Sequence, residues 1–123
     1  MRFALWGLLF FSVTTLHAQT FSFPLKKMHC KASVAVCATL QSIQKQIPPE
    51  VTVLVVEIQG STIIIKGHSP GYKWIGTFIE NMTKNPNIKE RMTIVSTNPF
   101  VGADKVRVEQ FQLSGTLIPA ANL

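Results

Sequence analysis

Val51–Gly67, VTVLVVEIQGSTIIIKG, consists of two β-branched runs joined by a glycine-centred turn, which is a hairpin signal. A two-residue turn at Gly60-Ser61, with glycine first, sets Ile58 opposite Ile63 and Val56 opposite Ile65. Period-two alternation then gathers Leu54, Val56, Ile58, Ile63 and Ile65 on one face, and Val53, Val55, Glu57, Ile64 and Lys66 on the other. The first set is wholly apolar and needs cover, which stabilises by about 7–15 kcal/mol over its side chains. A slip of one residue would exchange the faces, so the pattern itself supports this register.

The segments on either side supply the cover. Ser33 can cap a helix running to about Gln46, with Val36, Leu40, Ile43 and Ile47 in one stripe and Pro48-Pro49 as its stop. After the hairpin, Ser69 is placed to cap a second helix with Pro70 at its first position. Ile75, Phe78, Ile79 and Met82 form its apolar face, and Asn85-Pro86-Asn87 closes it. Asn81-Met82-Thr83 matches a glycosylation sequon but lies inside this helix, so it is read as chance.

Arg91–Thr97 reads as a third strand, Asn98–Asp104 as a turn-rich link and Lys105–Leu117 as a fourth strand. In that last strand Val106 and Val108 have one parity while Phe111, Leu113 and Leu117 have the other, which predicts a bulge near Glu109-Gln110. The expected fold class is α+β. It is a two-layer sandwich, αββαββ, with both helices on one side of a four-stranded, mainly antiparallel sheet.

A chain of 123 residues holds one domain of this kind, and its start frames where that domain works. MRFALWGLLFFSVTTLHAQ carries Arg2, an apolar run from Phe3 to Val13, then small and polar residues to Ala18. That is the layout of a secretory signal over residues 1–18, cut after Ala18; a short membrane anchor over residues 3–16 is the other reading. Residues 19–32 read as a leader or linker, since Phe21–Lys31 shows no period and contains Pro24. The domain spans residues 33–117, and 118–123 form a loose tail.

An exported chain with two cysteines suggests a disulfide first, with two free thiols as the alternative. Cys30 and Cys37 within one continuous helix would sit ~10.5 Å apart, beyond bridging range. A bridge therefore needs Cys30 in the approach to the helix. His29, Cys30, Cys37 and His68 have no zinc-like spacing, so no metal or cofactor is expected.

The formal charge of +6 suits acidic partners or phospholipid headgroups. Its one cation cluster, Lys26-Lys27 with Lys31, lacks the interleaved aromatics of a nucleic-acid site. Glu50, Glu57, Glu80, Glu90, Asp104 and Glu109 make no close pair for acid–base work. His68-Ser69 is the sole nucleophile candidate, and Ser69 reads better as a helix cap, so the chain is not expected to be an enzyme. An interface is the stronger expectation. Val53, Val55 and Ile64 form an apolar patch on the second hairpin face, and Tyr72 and Trp74 lie off the main helical stripe. The bland alternatives are β-branched residues that merely stabilise strands, and a partly buried aromatic shoulder.

Between about Leu40 and Leu117 the residues also resemble a family. Ile47-Pro48-Pro49 precedes a strand, then come Ile58–Gly60, Ile65-Lys66-Gly67 with Ser69 and Tyr72, Phe78 with Asn81-Met82 and Asn85-Pro86, and a closing alternation at Val108, Phe111 and Leu113. This pattern resembles the periplasmic domain of PilN-type fimbrial assembly proteins. The resemblance implies a ferredoxin-like, non-enzymatic domain in the inner-membrane platform of a type IV pilus or type II secretion machine. It also implies that such a domain pairs with a second copy or a homologous domain. PilN-type proteins carry a cytoplasmic motif, a full membrane helix and a coiled coil before this domain, whereas here a brief linker follows a short apolar run. A BON-type envelope domain shares the hairpin with a strand-ending glycine followed by a helix, and that likeness would imply phospholipid binding.

Overall fold

The structure, a computed structural model, describes residues 18–24 and 33–118. Seven elements follow one another: β1 (Ala18–Ser22), α1 (Val34–Gln46), β2 (Thr52–Gln59), β3 (Thr62–Ser69), α2 (Tyr72–Met82), β4 (Ile88–Val101) and β5 (Arg107–Leu117). The strands form one sheet in the order β1-β2-β3-β5-β4, with every neighbouring pair antiparallel. Leu40 and Ile43 of α1 and Ile75, Phe78, Ile79 and Met82 of α2 share a single core with the sheet, so both helices cover the same face. The α+β two-layer reading holds, but the sheet has five strands, so the four-stranded ferredoxin-like count is corrected.

The extra strand comes from the leader. Phe21 pairs with Val56, and the Phe23 amide continues the contact by donating to the Leu54 carbonyl at 3.0 Å. Phe23 is itself buried against the core. Instead of packing loosely, the start of this segment adds an edge to β2. Main-chain groups on the open side of β2 are enough to hold five residues, which explains why side-chain periodicity gave no warning.

The hairpin register is the expected one, with Ile58 opposite Ile63 and Val56 opposite Ile65. Gly60 has φ +63° and Ser61 does not share that sign, in keeping with a turn that wants glycine first. One face assignment is overturned. The pairing shifts between Val53 and Val55, leaving Leu54 as an extra residue. This bulge turns Val53 into the core at 3% exposure and sends Leu54 to the other face at 47%. Gly67 permits it, because a Cβ there would run into the Thr52 carbonyl oxygen and come within 3.0 Å of the Val53 Cα.

Ser33 caps α1 as anticipated, its Oγ accepting from the Val36 amide at 3.2 Å. Helix α2 starts later than expected. Gly71 is its N-cap, and Ser69 instead stays in β3, fully buried, where its hydroxyl donates to the Gly71 carbonyl at 2.8 Å. Ser69 still pairs with Glu109 in β5, so its backbone is held extended two residues too early to cap.

The β4–β5 hairpin is longer than the turn signals suggested. Asn98, Pro99, Phe100 and Val101 pair with Gln110, Glu109, Val108 and Arg107, which moves the turn to residues 102–106. Pro99 is tolerated because β4 is an edge strand. No bulge interrupts β5 at Glu109-Gln110, where pairing to β3 is continuous from Thr116 to Glu109. The irregularities lie in β4, between Lys89 and Thr93 and between Ile94 and Ser96.

A polar clasp joins the ends of the helices. Asn81 donates to the Gln46 carbonyl at 3.0 Å. Buried Asn85 donates to Ser42 Oγ at 3.2 Å and Gln46 Oε1 at 3.1 Å, and accepts from the Asn87 amide at 2.9 Å. Removing this buried side chain leaves three half-buried partners without their hydrogen bonds at once, so Asn85→Ala is expected to cost about 2 kcal/mol in chemical denaturation.

Candidate functional site

Alternation along the strands places Val55, Glu57, Ile64, Lys66, His68, Val108, Gln110 and Gln112 on the face opposite the helices. Among the described residues, no element packs over this face. Leu54 joins it through the bulge, and Phe100 through its pairing with Val108. Lys66 Nζ and Glu57 Oε2 lie 3.6 Å apart across the hairpin, a half-exposed ion pair.

Apolar side chains concentrate at one end of this face. A groove of about 600 Å³ is lined by Leu54, His68, Phe100, Val106, Val108 and Gln110. Phe100 is 48% exposed and Val106 56%, so the far wall of the groove is apolar surface left to solvent. A second depression of about 260 Å³ continues from Leu54 and Gln110 towards Lys66, Ser96, Asn98 and Gln112. The face therefore grades from an apolar pocket into polar, hydrogen-bonding strand.

The interface residues expected from sequence do not come together. Val55 and Ile64 lie half-buried on the outer face. Val53 is a core residue, which corrects its placement in that patch. Tyr72 and Trp74 belong to the helical layer on the other side of the sheet. Thr97 donates to the Tyr72 hydroxyl at 3.4 Å, and Trp74 packs against the core with Lys73 Nζ 5.0 Å from its ring centre. Missing from the expectation were Leu54, Phe100, Val106 and Val108. The opposed parity of Val108 and Phe111/Leu113 carried that signal: it marks apolar residues on both faces of one continuous strand, not a bulge, with Val106 in the turn just before it.

His68 and Ser69 cannot act together as base and nucleophile, since neighbours in a strand face opposite sides and Ser69 is held by Gly71. Glu109 is 4% exposed on the helical face; its Oε2 accepts from Arg107 Nε at 3.2 Å, while Oε1 has no hydrogen-bond partner among the described residues. Cys37 is disulfide-bonded, which removes it from any thiolate ligand set, and the described residues hold no group of three or more metal-ligating side chains. His29 and Cys30 lie outside the described residues.

The profile of the fimbrial assembly protein (PilN) family matches residues 38–117. Comparisons with curated proteins and with solved structures return no match. The matched span opens inside α1 and closes on the last residue of β5, so it takes in the αββαββ unit and leaves β1 outside. It also contains the hairpin, the clasp and every residue of the outer groove. This chain belongs to the PilN family of fimbrial assembly proteins.

Proposed function

We propose that the protein is a non-enzymatic scaffold of the cell envelope that serves type IV pilus assembly through protein–protein contact made by the outer face of its sheet. The observation that carries this reading is the family match across both helices and four of the strands. The uncovered apolar groove supports the mode of action, because exposed clusters of this kind mark contact sites. The partners are platform proteins of a pilus or type II secretion machine, or a homologous domain.

We place the domain in the periplasm, delivered by a signal at residues 1–18 or held at the inner membrane by residues 3–16. Those residues lie outside the described ones, and no described helix is long and apolar enough to cross a membrane. An oxidising compartment suits the bonded Cys37, whose partner in this reading is Cys30, the chain's other cysteine. Peptide mapping without reductant is expected to recover that pair, and reduction is expected to lower stability by about 2 kcal/mol. Two free thiols in the exported protein would contradict it.

Surface pili counted in a strain lacking the protein test the function. Their loss, with recovery on re-expression of the full chain, is the expected result. Normal pili in the deletion strain would overturn the reading. The rival, a BON-like phospholipid-binding module, calls for salt-weakened binding to anionic vesicles. On the outer face Lys66 is already engaged by Glu57, which leaves little free cation to draw headgroups there.

A further inference from the structure

We infer that Gln19 is a modification site: once the leader is cut after Ala18, the Gln19 side-chain amide closes on its own α-amine, and the mature chain begins with a pyroglutamyl lactam. This rests on the signal reading of residues 1–18 and is independent of the scaffold function.

The fold suits a cut at that bond. Strand β1 opens at Ala18, which pairs with Gln59, and Gln19 follows opposite Ile58. Cutting after Ala18 therefore costs the sheet one residue, while Gln19 to Ser22 and the buried Phe23 stay in place beside β2. The first residue of the mature chain is then already a strand residue.

Its reacting groups are open to solvent. β1 is an edge strand, Gln19 is exposed, and its side-chain amide bonds to no other described residue. The Phe23 amide donates to the Leu54 carbonyl, and bonded pairs alternate along an antiparallel ladder, so Gln19 and Ile58 are a bonded pair as well. Lactam formation gives up only the bond that the Gln19 nitrogen donates; the Gln19 carbonyl still accepts from Ile58. A strand end opens more readily than its middle, which frees the amine to react.

The chemistry needs no co-reactant. The lone pair of the neutral α-amine attacks Cδ. An N–Cδ bond forms, the Cδ–Nε2 bond breaks, and a proton from the amine departs with Nε2 as ammonia. An α-amine loses its proton far more readily than a lysine, so part of it is neutral near neutral pH. Nucleophile and carbonyl belong to one residue, which spares the entropy of bringing two molecules together. The product carries no terminal ammonium, so an exopeptidase that grips a free amine cannot begin to strip β1.

The test is mass spectrometry of the full chain expressed with its own leader, beside Gln19→Asn, whose side chain is one methylene shorter and could close only a strained ring. Each protein is reduced and weighed intact directly after lysis, and the peptide Gln19–Lys26 is sequenced by fragmentation. The expected parent mass is that of residues 19–123 less one ammonia, with the loss located on Gln19, while Gln19→Asn is cut at the same bond and keeps its amine. A parent cut after Ala18 with a free Gln19 amine would overturn the lactam and leave the signal reading standing. An uncut chain, or one cut elsewhere, would overturn both. A lactam absent from fresh lysate that grows in only on storage would also overturn the proposal, as would the same ammonia loss in Gln19→Asn. Pilus counts in the deletion strain stand apart from all of these outcomes, so the scaffold function is judged separately.

Discussion

The Gly67→Ala variant is expected to melt roughly 10–20 °C below the parent chain, a loss of about 3 kcal/mol in a domain of this size. The new methyl would enter space held by backbone, the Thr52 carbonyl and the Val53 Cα, with the Phe111 ring tip also only 3.0 Å away. Backbone cannot step aside as a flexible side chain can, so the bulge at Val53–Val55 has to open. Opening it draws Val53 out of the core and Leu54 away from the outer groove, which couples this glycine to both faces of the sheet. Gly76, with nothing near its missing Cβ and a helical position in α2, is the control: Gly76→Ala should raise stability by up to about 1 kcal/mol. Thermal unfolding followed by circular dichroism reads both. Equal melting temperatures for the parent and Gly67→Ala would mean that the strands do not cross as closely as described.

Phe78→Ala should cost about 4 kcal/mol, the larger of the two effects. Phe78 is fully buried in α2 and meets Phe111 of β5 edge to face, with ring centres 6.4 Å apart at 68°. It is the bolt between the helical layer and the central strands, and removal leaves a cavity that the rest of the core can fill only in part. Phe78→Leu keeps most of the volume and should cost about 1–1.5 kcal/mol. Guanidinium titration of the three proteins checks the order. A loss below about 1 kcal/mol for the alanine variant would show that α2 is not seated on the sheet at this point.

Much of this architecture can be read from the residues because it follows from periodicity. The register of Ile58 with Ile63, the Ser33 cap and the buried stripe of Ile75, Phe78, Ile79 and Met82 are all local patterns that burial enforces. What escaped depends on contacts between segments distant in sequence. Residues Ala18–Ser22 become a strand only because β2 offers a free edge. Leu54 and Val53 exchange faces only because Gly67, across the hairpin, admits a close approach. Ser69 fails to cap because Glu109, forty residues on, holds it in the sheet.

The candidate surface was half legible for the same reason. Val55 and Ile64 follow from alternation, whereas Phe100 sits in a stretch whose Asn98-Pro99 and Gly102 look like a turn. Only the pairing of β4 with β5 turns that stretch into strand and carries Phe100 to the groove.

In the proposed scaffold, assembly contacts are made on the sheet face away from the helices. A photo-reactive amino acid placed at Gln110 on that face, and separately at exposed Lys45 on α1, tests it in piliated cells expressing the full chain. Cross-linked protein adducts from Gln110, and none from Lys45, are the predicted result. Adducts from Lys45 with none from Gln110 would contradict it.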